Sequence, residues 1–129
     1  MENSMLKTRL AILWIFIAVA GYRCTAFFDP GVIEQILAGE WVEQMTEGML
    51  LFMAFFWMIP FLMAFLSVTL KDDKTNRWAN IILGVVFVGF NLFHFAEHAM
   101  IPTAHQLLIV GATVVAAILI VWYAWKWPK

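Results

Sequence analysis

Apolar residues in this chain come in long unbroken blocks, not in the alternation of a strand or the narrow stripe of a soluble helix. A helix needs about 20 mostly apolar residues to cross a hydrocarbon core of about 30 Å. Four blocks reach that length, over residues 10–28, 48–70, 79–99 and 106–125. The pattern predicts an all-α integral membrane four-helix bundle forming a single domain over residues 1–129. The first block is read as a retained span and not a signal peptide, because it has full spanning length and Arg23 and Cys24 fall where cleavage would occur.

Between spans one and two the pattern changes. Asp29-Pro30 reads as an N-cap followed by proline at the first helical position. Val32, Ile33, Ile36, Leu37, Trp41, Val42 and Met45 then recur at helical spacing, with Glu34, Gln35, Glu43 and Gln44 between them. This predicts a short amphipathic helix over residues 30–45, lying in the outer interface. Pro60 falls in mid-span two, where it removes one backbone hydrogen bond.

Composition agrees with the pattern. Apolar residues make up 64% of the chain and charged residues 13%, against about 45–50% and about 25% in soluble domains. The formal net charge is −1, so no basic field points to nucleic acid. The partner that this surface implies is the lipid bilayer. Of the eight basic residues, Lys7, Arg9, Lys71, Lys74, Arg77, Lys126 and Lys129 lie outside the blocks on one side. The excess of Lys and Arg in cytoplasmic loops then predicts a multi-pass plasma-membrane protein with both termini in the cytoplasm. Trp78, Trp122, Tyr123, Trp125 and Trp127 would form an aromatic belt at that inner face.

Candidate chemistry gathers at the other end. Ionisable side chains are costly within a membrane and commonly functional. Arg23 lies near the outer end of span one and Asp29 follows it, Glu47 opens span two, Asn91, His94, Glu97 and His98 end span three, and His105 opens span four. Asn91, His94 and His98 are three and four residues apart and share a helix face. Extended inward, that stripe continues through Phe87, Gly84 and Asn80, so it should face the bundle. The arrangement predicts an outward-facing polar pocket lined by Arg23, Glu47, Asn91, His94, Glu97 and His98 that binds or transports an ion or small amphipathic molecule. Imidazoles titrate near neutral pH, so binding there would depend on pH.

His94 to His98 spell H-x-x-E-H. In one class of zinc protease this string supplies two ligands and a glutamate base. No second downstream signature accompanies it, and the reading leans away from an enzyme. A divalent metal held by His94, His98 and His105 is the cofactor that these residues would suit. A bis-histidine haem fits less well, because the histidines sit on adjacent helices and not at matched depths on facing ones. Met45, Met49, Met53, Met58 and Met63 read as gap-filling side chains in preference to a Cu(I) path. Gly84, Gly89, Gly111, Ala112 and Ala116 mark close helix approach, within the bundle or across a homodimer. A second function class fits the same residues: an accessory subunit of a larger membrane complex, with the polar groups fixing helix register.

The stretches Pro30–Gly39, Met58–Ser67, Asn76–Gly84 and Ile120–Pro128 resemble a family of small prokaryotic four-span proteins known as a domain of unknown function. The general plan is also similar to four-span DoxX-like proteins. The resemblance covers nearly the whole chain and implies a four-helix membrane bundle without an assigned activity. The His94, Glu97, His98 cluster is not part of the pattern associated with that family.

Overall fold

The computed structural model describes residues 3–23, 34, 37–38, 46–100 and 104–127; the side chains at 21–23, 94, 97–100 and 105–106 lie outside that description. Four helices carry the chain: α1 (Asn3–Arg23), α2 (Glu47–Thr69), α3 (Asp73–Met100) and α4 (Ala104–Trp125). All four are long and apolar enough to cross a membrane. Of the expected interfacial helix, the structure describes Glu34, Leu37 and Ala38, with the Ala38 N–H donating to the Glu34 carbonyl at 3.0 Å; the rest of 30–45 lies outside the described residues, as do Cys24 and Asp29.

The helices run past the apolar windows at one end because polar contacts hold them there. The Lys7 ammonium on α1 lies 3.1 Å from the Asp73 carboxylate of α3 and donates to the Leu70 carbonyl after α2. Asn3 Nδ2 donates to the same Asp73. Helix ends are capped locally. Thr46 Oγ1 accepts from the Met49 N–H at 3.1 Å at the start of α2, and Asp72 accepts from the backbone and hydroxyl of Thr75 at the start of α3. The Asp72 carboxyl is accordingly held below its ordinary value, chiefly by the Thr75 hydroxyl and then by the Thr75 N–H.

Packing follows the order α2–α1–α4–α3, and the backbones of α2 and α3 scarcely approach each other. Leu6, Leu10, Trp14 and Ile17 form the buried face of α1. They meet Met63 and Ala64 of α2, Ile81 and Phe87 of α3, and Ala116, Ala117, Ile120 and Ala124 of α4 in one core. The wide α2–α3 gap is bridged by large rings. Phe56 stacks on Phe87 at 4.6 Å and meets Phe90 at 4.3 Å, while Trp14 meets Phe87 edge-on at 5.4 Å. At the α3–α4 seam the opposite holds. A Cβ on Gly84 would stand 2.8 Å from Val121 Cγ2, so these helices touch because glycine is there. Gly111 faces the Phe95 ring across the same seam, whereas Gly89 opens onto free space.

The outer faces are apolar as well. Ile12, Phe16, Leu51, Phe55, Phe65, Ile82, Val86, Leu108 and Ile118 are all exposed. Helices apolar inside and out are solvated by lipid, not by water. Trp78, Trp122 and Trp125 are exposed, in keeping with a belt, but Trp127 is only 2% exposed and joins the core. It does so because a turn after α4, with the Trp127 N–H on the Ala124 carbonyl, folds its indole back under the bundle.

Candidate functional site

Along α3, residues 76, 80, 84, 87 and 91 are spaced by four, four, three and four, which keeps them on one helix face. All five are buried, as the stripe through Asn80, Gly84, Phe87 and Asn91 predicts. The two ends of this stripe have opposite fates.

Near the basic end, Asn80 is the hub of a saturated network. Trp14 Nε1–H donates to Asn80 Oδ1 at 2.7 Å, and Ser67 Oγ–H donates to the same oxygen at 3.2 Å. Asn80 Nδ2 donates to the Asn76 carbonyl and to Asn76 Oδ1, each at 2.9 Å. Asn76 Nδ2 donates to the Ser67 carbonyl at 2.9 Å. Three helices are thereby tied at one depth, with every carboxamide atom partnered. Such a network rigidifies a bundle and leaves nothing for a ligand. Sequence reasoning placed Asn80 on the inward stripe, but it did not single out Trp14, Ser67 or Asn76. The spacing of Asn76 and Asn80 was an available signal; Trp14 and Ser67 become partners only through the fold.

Toward the other end, Asn91 is fully buried, yet neither its Oδ1 nor its Nδ2 has a hydrogen-bond partner among the described residues. An unmade hydrogen bond on a buried group costs about 1–3 kcal/mol. The antiparallel order brings the α1 end at Arg23, the α2 start at Glu47, the last turns of α3 and the α4 start at His105 to this same end. Glu47 is exposed there, in the first turn of α2, where the helix dipole favours an acid. His94, Glu97 and His98 lie on α3, and His105 lies on α4; their side chains, like that of Arg23, lie outside the described residues. The methionines of α2 do not form a common path: Met49, Met53 and Met58 face outward, and Met63 fills the core.

The family of unknown function DUF6326 matches residues 2–129. The chain belongs to this family. Neither a curated protein nor a solved structure matches the chain. The likeness to DoxX-like proteins is one of general plan and is not shown by this match. A membrane bundle of four apolar helices is therefore the established frame of this DUF6326 member, and its activity has to be argued from its own residues.

Proposed function

We propose that this membrane protein binds a small polar or amphipathic molecule, or an ion, at the end opposite its basic end. Asn91, His94, Glu97 and His98 of α3, with Arg23 and Glu47 from the neighbouring helix ends, are the proposed recognition residues. The observation that carries the reading is the buried carboxamide of Asn91, which has no hydrogen-bond partner among the described residues. A carboxamide offers one acceptor oxygen and two donor hydrogens, so it suits a ligand that carries a carbonyl or hydroxyl group. Where the ligand is a divalent metal, His94, His98 and His105 are the proposed donors. In this reading the basic end lies in the cytoplasm and the membrane is the plasma membrane, supported by the excess of Lys and Arg at that end, so the binding end faces outward. A pathway through the membrane would need a second copy, because four packed helices enclose little space.

The test compares wild type with Asn91→Leu and His94→Ala/His98→Ala. Purified protein is denatured, and what it releases is identified by mass spectrometry and elemental analysis; Zn²⁺ serves as the added probe for the ion arm. The expected result is a stoichiometric small molecule or metal that both variants lose. In ligand-free detergent Asn91→Leu should gain about 1–2 kcal/mol, because it removes a buried group that has no partner among the described residues. Identical release from all three proteins, or an Asn91→Leu variant destabilised by more than about 1 kcal/mol with nothing lost, overturns the proposal and leaves the accessory-subunit reading.

A further inference from the structure

The α3–α4 seam carries a groove that the site at the opposite end does not use. It measures about 290 Å³ and is lined by Val85 and Val88 of α3 and by Ile118, Val121 and Trp122 of α4. Its floor is the close crossing at Gly84 and Val121. Along α4 and the turn that follows it, Ile118, Trp122 and Lys126 recur every four residues, and on α3 Trp78 lies seven before Val85. These positions continue the faces of the groove's two walls toward the basic end of the bundle, where two cations lie. Lys126 Nζ sits 4.1 Å from the Trp122 ring centroid. The Arg77 guanidinium lies between Trp78 and Trp125, at 5.4 and 5.8 Å. Arg77 Nε and Nη2 donate to the Ala124 and Trp125 carbonyls, which leaves three of its five N–H donors for another acceptor. Among the described residues Lys7 is ion-paired, with Asp73, whereas Arg77 and Lys126 have no carboxylate within reach.

From these observations we infer that the groove is a binding site for one anionic phospholipid. One acyl chain lies along Val85, Val88, Ile118 and Val121, and the phosphate is held by Arg77 and Lys126. Length supports the fit. At 1.5 Å per residue, positions 77 to 88 span about 16 Å, roughly half of a hydrocarbon core of about 30 Å and hence one leaflet. Charge supports it too, since a guanidinium and an ammonium flanked by indoles at headgroup depth complement a phosphate and a negative headgroup.

The test is native mass spectrometry of the delipidated full chain in detergent, titrated with phosphatidylglycerol and with phosphatidylcholine of identical acyl chains. One phosphatidylglycerol should be retained per chain under conditions that strip phosphatidylcholine. Lys126→Gln should weaken that binding about fivefold, and Arg77→Gln/Lys126→Gln more than about tenfold. Val85→Trp fills the groove without touching charge and should weaken it comparably. Lys71→Gln/Lys74→Gln, which removes the same charge elsewhere at this end, should stay within about twofold. Equal retention of phosphatidylcholine, full binding in Val85→Trp, or an equal loss in the Lys71/Lys74 variant would each overturn the proposal. Because Lys126 is exposed and touches one ring, its variant keeps the test independent of any folding defect caused by losing the contacts of Arg77 to α4.

Discussion

Replacing Asn80 by alanine tests whether the buried network holds the bundle together. The substitution removes the acceptor of Trp14 Nε1–H and of Ser67 Oγ–H, and both donations to Asn76. The Ser67 hydroxyl can rotate and donate to a carbonyl of its own helix, so its loss is small. The indole N–H cannot rotate away, and Trp14 is 0% exposed; leaving it unpaired costs about 1–3 kcal/mol. The deserted Asn76 oxygen and the lost buried volume bring the total to about 2–4 kcal/mol. Trp14→Phe keeps the edge-on contact with Phe87 while deleting the donor. A double-mutant cycle should then show a coupling of about 0.6–1.7 kcal/mol, between the average and the largest value for side-chain hydrogen bonds between membrane helices. Unfolding in mixed micelles with increasing dodecyl sulfate, followed by far-ultraviolet circular dichroism, reads both quantities. An Asn80→Ala cost under about 0.5 kcal/mol, or a cycle additive within about 0.3 kcal/mol, would refute the reasoning.

Three further outcomes follow from single positions. Gly84→Ala should cost about 1–3 kcal/mol in the same assay, because its methyl would meet the stiff β-branched side chains of Val121 and Ile120; Gly89→Ala, with open space around it, should be neutral or gain up to about 1 kcal/mol from helix propensity. Asp72→Ala should lower stability at neutral pH by losing the cap of α3. The Asp72 carboxyl is depressed in the folded chain, so its contribution is full above its ordinary value of 3.8 and fades as the pH falls below it; the stability gap between wild type and variant should close in acid, and a gap constant down to about pH 2 would refute the cap's role.

How much of the site was legible differs along α3. The stripe from Asn80 to Asn91 could be read from spacing alone, because a polar residue four or seven places from a glycine in an apolar helix belongs on the inward face. Which of those polar residues is already partnered could not be read. Asn80 and Asn91 are the same residue type at depths that differ by three helical turns. The difference between them is that α1 and α2 present an indole and a hydroxyl at the depth of Asn80, while no described group reaches Asn91.

The number of membrane-spanning helices and their membrane setting were determined by the sequence by itself, since crossing about 30 Å of hydrocarbon needs long apolar blocks and such blocks have no other stable solvent. The gathering of basic residues at one end followed from the same alternation of spans and loops. Tertiary structure alone decided which helices touch. Apolar surface covers every face of these helices, so hydrophobicity cannot choose neighbours in lipid; the choice falls to steric fit and hydrogen bonds. Gly84 lets α3 and α4 close on each other, the rings of Phe56, Phe87 and Phe90 hold α2 apart from α3, and a turn after α4 withdraws Trp127 from the belt into the core.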